Sequence, residues 1–445
     1  MSQKCNANLQ NHYLIIGAGP VGLGLAKVFK DRGIRYDQAE ADSEVGGNWY
    51  HGVYKTAHIL SCKTAMEFPE YPMPESYPDF PSQNQVCRYF IDYAHHFDLY
   101  GNIMFRKKVV QVLPVAENLW QVSFADGEEK KYTGVLICNG HHWCRRHPAC
   151  AASFTGEYFH SKDYNSPEQL VNKKTLVIGA GNSACDIVCE SARVGAGAFL
   201  SMRRSVWIFP KTFMGKPLGR IKLGWVPPFL EKFLIHALIR CTFGKHAQYK
   251  LDKPAHGFFD RHPTVSEELP YYLRHGRVTL KPDVLTIVDQ EITFTDGTKE
   301  QFDLIVAATG FDLAFPFLPK ELVRGEKGHL HLYGHATYED YKGLYFVGWQ
   351  QVRGGVGSLM GVFANVIADF IEIEEELQLP VGKLLKAIGE KCSSTHLMGA
   401  RQVFRWVKSV RKKKLQRKSY LVVPGPPHRN KAIAACPVKI NMEVY

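Results

Sequence analysis

The feature that most constrains this chain is a repeat. Leu14, Ile15 and Ile16 run into Gly17-Ala18-Gly19-Pro20-Val21-Gly22 and then a helical pattern carrying Leu23, Leu25, Ala26 and Phe29. Farther along, Leu176, Val177 and Ile178 run into Gly179-Ala180-Gly181-Asn182-Ser183-Ala184, followed by a helical segment from Asp186 to Ala192. Both copies close alike. VSFADGEEKKYTGVLICNG ends at Gly140 and ITFTDGTKEQFDLIVAATG at Gly310, with Asp126-Gly127 and Asp296-Gly297 as hairpin signals and an apolar strand after each. The interval from Phe124 to Gly140 equals that from Phe294 to Gly310. A start, a turn and an end at matched spacing imply two doubly wound Rossmann-like units in one α/β chain.

The glycines suit nucleotides for a mechanical reason. Gly17 and Gly179 permit a tight strand-to-helix turn, Gly19 and Gly181 let a pyrophosphate approach the backbone, and Gly22 packs helix on strand, with Pro20 at the helix start. Asn182 and Ser183 open the second helix, whose N-terminus presents N–H groups and a positive dipole end to phosphate. The end of the second strand in each unit separates the two ligands. Glu40 stands near the end of IRYDQAEAD, where a carboxylate binds a ribose diol and rejects a 2′-phosphate. The matching strand AFLSMRRS ends in Arg203 and Arg204, and two guanidiniums there suit a 2′-phosphate. The first site therefore suits FAD and the second NADPH.

Composition bounds the rest. The chain has 445 residues, 45% of them hydrophobic, enough for two cores. The net charge of +12 is local, because nine basic residues and no acid fall between Arg401 and Lys418. Such a run reads first as a solvated helical face and then as an anionic membrane surface, with nucleic acid far behind, so no nucleic-acid partner is expected. Eleven cysteines without a CxxC argue against a disulfide framework, a zinc ribbon or a redox dithiol. His141, His142 and His147 lack paired ligands elsewhere and read as a surface turn, so no metal is expected. No apolar run approaches spanning length and the start lacks a signal-peptide pattern, so the expectation is a cytoplasmic protein, with a membrane surface open.

With these residues in hand, the chain resembles the flavin-containing monooxygenases, of the class that also includes Baeyer–Villiger enzymes. The family fingerprint FxGxxxHxxxY/F is matched from Phe154 to Tyr164, including Gly156 and His160. The GGxW element is matched by Gly46-Gly47-Asn48-Trp49, the ATG element by Ala308-Thr309-Gly310, and GLYFVGW by Gly343 to Trp349. The resemblance extends from about His12 to Phe370 and implies that the NADPH domain is inserted into the FAD domain. We expect an FAD domain over 1–168, the NADPH domain over 169–312, the FAD domain again over 313–418 with a basic helical end, and a tail over 419–445. Gly47, Asn48, Trp49 and Thr309 join the expected cofactor contacts, and His160 is implied to be a linker residue at the domain interface.

The implied chemistry is reduction of FAD by NADPH, uptake of O₂ as a C4a-hydroperoxide, and oxygenation of a soft nitrogen or sulfur in a small molecule. The cofactor performs the transfer and the protein supplies orientation and exclusion of water. Many members carry an asparagine after GGxW near the flavin's reactive edge. This chain has His58 to Phe68 without one, which leaves Ser61 and Lys63 as candidates for that hydrogen bonding, beside an ordinary loop role. Tyr164 favours heteroatom over ketone oxygenation, because Baeyer–Villiger enzymes usually carry tryptophan there. A Baeyer–Villiger enzyme is the first alternative, a flavin NADPH reductase the second and a non-enzymatic sensor the third. Cys185 and Cys189 read as packing residues. Phe229, Leu230, Phe233, Leu234, Ala237 and Leu238 share one helical face, read first as core packing and then as a peripheral membrane contact, for instance at the endoplasmic reticulum. A homodimer is left open.

Overall fold

The computed structural model describes residues 11–116, 118–221, 226–258, 260–326, 329–352, 355, 357–393 and 397–398. The basic Arg401–Lys418 segment and the expected tail lie outside the described residues. Two parallel five-stranded sheets organise the chain. The first orders its strands Leu344–Phe346, Gly134–Ile137, His12–Ile16, Arg35–Ala39 and Ile103–Met104. The second orders Thr279–Lys281, Gly197–Ser201, Lys174–Ile178, Leu304–Ala307 and Glu157–His160.

The alternation of side chains along the central strands explains why both are buried on two faces. Tyr13 and Ile15 pack with Leu23, Ala26 and Phe29 of the helix Pro20–Arg32 and with the long helix Gly357–Leu377. Leu14 and Ile16 point the other way, onto Val112, Trp120, Val122 and Phe124. Those residues belong to a three-stranded antiparallel sheet of Val109–Ala116, Leu119–Phe124 and Glu129–Tyr132. The second unit repeats the arrangement. Val177 faces the helix Asn182–Val194, while Leu176 and Ile178 face Ile292 and Phe294 of another three-stranded sheet. The matched hairpins are real: Gly127 and Gly297 take φ of 87° and 81°, and their N–H groups bond Phe124 O and Phe294 O at 3.0 and 2.9 Å.

The insertion is also plain. All strands of the second sheet lie between Glu157 and Ala307, and the chain then returns to place Leu344–Phe346 beside Gly134–Ile137, with Leu344 paired to Val135. One boundary moves. Glu157–His160 pairs in parallel with Leu304–Ala307, so the fingerprint strand is the edge of the second sheet and the sheets change over before Glu157, ahead of residue 168. Only His160 of this strand is fully buried, and so short an edge strand lacks the apolar run that marks the others. Cys185 and Cys189 are packing residues in the core of the second unit.

Candidate functional site

The first glycine loop is held by backbone on backbone. At Gly17 the φ is 106° and a Cβ would lie 2.6 Å from Cys138 O; at Gly22 it would lie 2.0 Å from Gly17 O. Gly19 differs, since its nearest neighbour is Gly47 Cα at 3.7 Å, so the two glycine motifs of the first unit face each other. Gly46 N–H donates to Ala18 O at 3.0 Å and fixes that approach. Gly19 caps the helix Pro20–Arg32 without any side-chain capping bond, with Pro20 in the first turn, leaving the helix N–H groups to an outside acceptor. Glu40 follows the second strand directly, and its carboxylate accepts from Ala18 N at 2.6 Å and Asp42 N at 2.9 Å. Burial pushes the Glu40 carboxyl up, opposed by those two donations.

The second loop follows the same plan with more room. Gly179 takes φ 143° and a Cβ there would lie 2.2 Å from Ala308 O, whereas a Cβ on Gly181 meets nothing within 4 Å. Gly181 caps the helix Asn182–Val194, again without a side-chain capping bond. Asn182 Oδ1 accepts from Val265 N at 2.7 Å and Thr264 Oγ1 donates to Ala180 O at 2.8 Å, so a second segment braces the loop. Arg203 and Arg204 follow the strand Gly197–Ser201 and are exposed at the mouth of this loop's sheet. Both loops thus fit a dinucleotide pyrophosphate, because close approach is left open only at Gly19 in the first and Gly181 in the second.

The fingerprint stitches the two units together. His160 is fully buried, its Nε2 3.0 Å from Gly310 O, and its Nδ1 accepts from Lys162 N at 3.1 Å. The two bonds define a neutral ring with the proton on Nε2, and burial, the largest cause, lowers its pKa. Lys162 reaches across to Asn48 Oδ1 at 2.7 Å and Gly52 O at 2.8 Å, while Asn48 Nδ2 donates to His142 O at 3.1 Å. Burial and then Arg145 bring the Lys162 ammonium down to about 8, and three oxygen partners favour its charged form, so it is a cation at neutral pH. Thr309 donates its hydroxyl to Arg146 O, which anchors the ATG element to the linker. Trp49 is half-buried, and its carbonyl accepts from Gln83 Nε2.

The segment after GGNW holds the two candidates Ser61 and Lys63 in different surroundings. Lys63 directs its three donors at Tyr77 O (2.7 Å), Glu75 O (3.0 Å) and Pro74 O (3.3 Å). With its amine turned to three carbonyls, Lys63 clamps the loop at residues 74–77. Ser61 is half-buried, and Gly219 of the inserted domain packs so closely over it that a Cβ there would lie 3.0 Å from Ser61 O.

A family model described as flavin-binding monooxygenase-like matches residues 10–371. The chain belongs to that family. Among curated relatives of this flavin-binding monooxygenase-like protein, flavin-containing monooxygenase 5 of Mus musculus is 31% identical over 347 residues, which are 72% of this chain and 65% of the relative. The chain therefore matches just under two thirds of that relative's length. The fold is shared with S-allyl-L-cysteine S-oxygenase from Allium sativum (TM-score 0.62, 21% identity, 90% of this chain and 88% of that one). It is shared as well with a cyclohexanone monooxygenase bound to epsilon-caprolactone (TM-score 0.65, 16% identity, 83% and 89%). Sequence reasoning about this family member missed Lys162, although it sits between His160 and Tyr164 inside the fingerprint. It also missed Gln38, buried and donating to Gly17 O at 2.9 Å, and Tyr54, whose partner lies 132 residues away.

Proposed function

We propose that this protein is an NADPH- and O₂-dependent FAD monooxygenase that oxygenates soft nitrogen or sulfur atoms of small molecules. The observation that carries the reading is the pair of uncapped glycine loops in one chain, with Glu40 behind the first and Arg203 and Arg204 behind the second. FAD fits the first loop and NADPH the second by the charge at the strand end. Bound there, FAD would supply the hydride-accepting and oxygen-transfer chemistry. The chain's own part is to hold the pyrophosphates at Gly19 and Gly181, to orient the ribose at Glu40, and to close the two units on each other through Lys162, Asn48 and His160. Ser61, under Gly219, is retained as the residue of the 58–68 segment free to donate toward the flavin edge.

The S-oxygenase neighbour and the caprolactone-bound neighbour mark the two chemistries this fold hosts, and Tyr164 favours the first. Purified protein should copurify with FAD and consume O₂ with NADPH. Mass spectrometry after incubation with a thioether, a tertiary amine and a cyclic ketone should find sulfoxide or N-oxide; lactone alone would overturn the choice.

A peripheral membrane contact is supported by the helix Pro228–Phe243. Ile235, Leu238 and Ile239 pack on Trp207 and Phe209, but Phe229 and Phe233 are 76% and 66% exposed, with Leu230 and Leu234 beside them. That outward face takes Phe229, Leu230, Phe233 and Leu234 out of the core, while Leu238 at the end of the stripe keeps its core contact. No described helix is long and apolar enough to cross a membrane. Anionic liposomes should pellet the protein and the double variant F229S/F233S should stay in the supernatant, whereas a salt-independent dimer in sedimentation would assign this face to a second copy.

A further inference from the structure

Beyond the loops themselves, two tyrosine–carboxylate pairs stand side by side, one joining the two units and one inside the second. Tyr54 OH donates to Asp186 Oδ2 at 2.6 Å, and Tyr164 OH donates to Glu190 Oε2. Asp186 and Glu190 are one helical turn apart on the helix Asn182–Val194, so the two acids share a face and form two rungs. Tyr54 and Tyr164 are buried and lie with ring centroids 5.5 Å apart, so the rungs are packed as well as bonded. The neighbouring contacts belong to the same seam. Lys211 bonds His58, and Arg220 pairs with Asp79 at 2.9 Å, each joining the inserted domain to the segment after GGNW. Asp186 lies in the second turn of the helix Asn182–Val194, which the second glycine loop opens.

We propose that Tyr54 is a positioning residue that ties the helix of the second nucleotide loop, through Asp186, to the segment Tyr54–Ser61 at the edge of the first site. Tyr54 stands seven residues before Ser61 and five after Trp49, so a shift of the helix Asn182–Val194 is passed straight to the backbone that borders the flavin site. The tether fixes the spacing between the second glycine loop and the border of the first site, and the rate of transfer between two bound groups would depend steeply on that spacing. The proposal rests on the reading of the loops as FAD and NADPH sites.

The test is Y54F in the FAD-loaded full-length protein, with D186L and the double variant Y54F/D186L. Phe keeps the ring and its packing against Tyr164 and removes only the hydroxyl. We expect FAD retained and NADP⁺ affinity within about threefold of wild type, because Gly181 and the arginines are untouched. Flavin reduction at saturating NADPH should fall about tenfold or more, and the change in flavin absorbance on NADP⁺ binding should shrink. In the ligand-free protein, amide hydrogen exchange over residues 50–62 should speed up. The double variant should be no slower than the slower single, since both singles cut one contact. Wild-type reduction rates and spectra in Y54F, additive losses in the double variant, or loss of FAD from Y54F each overturn the tether. If the wild-type flavin is not reduced by NADPH at all, the functional reading itself fails; if it is and Y54F matches it, the tether alone fails.

Discussion

Lys162 Nζ lies 2.7 Å from Asn48 Oδ1, so a cation of the fingerprint linker grips the loop that faces the first glycine turn. Asn48 comes directly after Gly47, whose Cβ position would lie 3.0 Å from Gly19 Cα, and the grip therefore reaches the phosphate loop within two residues. Replacement by methionine leaves Asn48 Oδ1 and Gly52 O without their donor at a half-buried seam. The expected cost is about 1–3 kcal/mol, visible as a lowered melting temperature and faster FAD loss in K162M.

His160 predicts a direction of pH dependence. Its folded pKa is depressed, with burial the main cause, and a second ring proton would face the Lys162 N–H that Nδ1 now accepts. The native state then binds fewer protons than the unfolded one below the ordinary histidine range near 6.5. Stability from this group is present above that range and is lost as pH falls through the folded value. Denaturant midpoints should drop from pH 7 to 5 in the wild type and drop less in H160Q, which keeps a donor for Gly310 O.

Gly179→Ala and Gly181→Ala should separate folding from binding. The first needs φ 143° and forces a Cβ to 2.2 Å from Ala308 O, so the variant should fail to fold. The second meets nothing within 4 Å, so it should fold normally and lose NADP⁺ affinity by about tenfold or more, equal to about 1.4 kcal/mol. Circular dichroism and fluorescence titration read the two effects. Equal folding defects would argue against Gly181 as a nucleotide contact.

Arg203 and Arg204 are exposed beyond the strand Gly197–Ser201, where a 2′-phosphate would lie. A charge-assisted bond is worth about 1.5–3 kcal/mol, so loss of even one in R203Q/R204Q should raise KM for NADPH by about tenfold or more while leaving NADH unchanged. A parallel rise for both coenzymes would refute the assignment.

Lys63 carries the opposite expectation. Because its ammonium clamps the carbonyls of 74, 75 and 77, K63M should release that loop to proteolysis without changing which product forms. A switch of product from sulfoxide to uncoupled peroxide at unchanged stability would place Lys63 in the chemistry.

The duplicated architecture was legible in the sequence because it is written in local signals. Glycines that need positive φ, apolar strands buried on both faces, and Asp-Gly turns are decided within a few residues, and the paired cores around Ile15 and Val177 come from alternation alone. The contrast of Glu40 with Arg203 and Arg204 is equally local, a charge at a strand end. Tertiary structure decided what the side chains at the seam do. Lys63 looks like a donor beside a flavin in one dimension and turns to three carbonyls in three. Tyr54 carries no motif, yet meets Asp186 across 132 residues. Strand Glu157–His160 changes sheets because its partner is Leu304–Ala307, a choice set by long-range hydrogen bonding that no local periodicity records. Backbone conformation is fixed near its own residues, whereas the partner of a buried polar group depends on which distant segment the fold delivers to it.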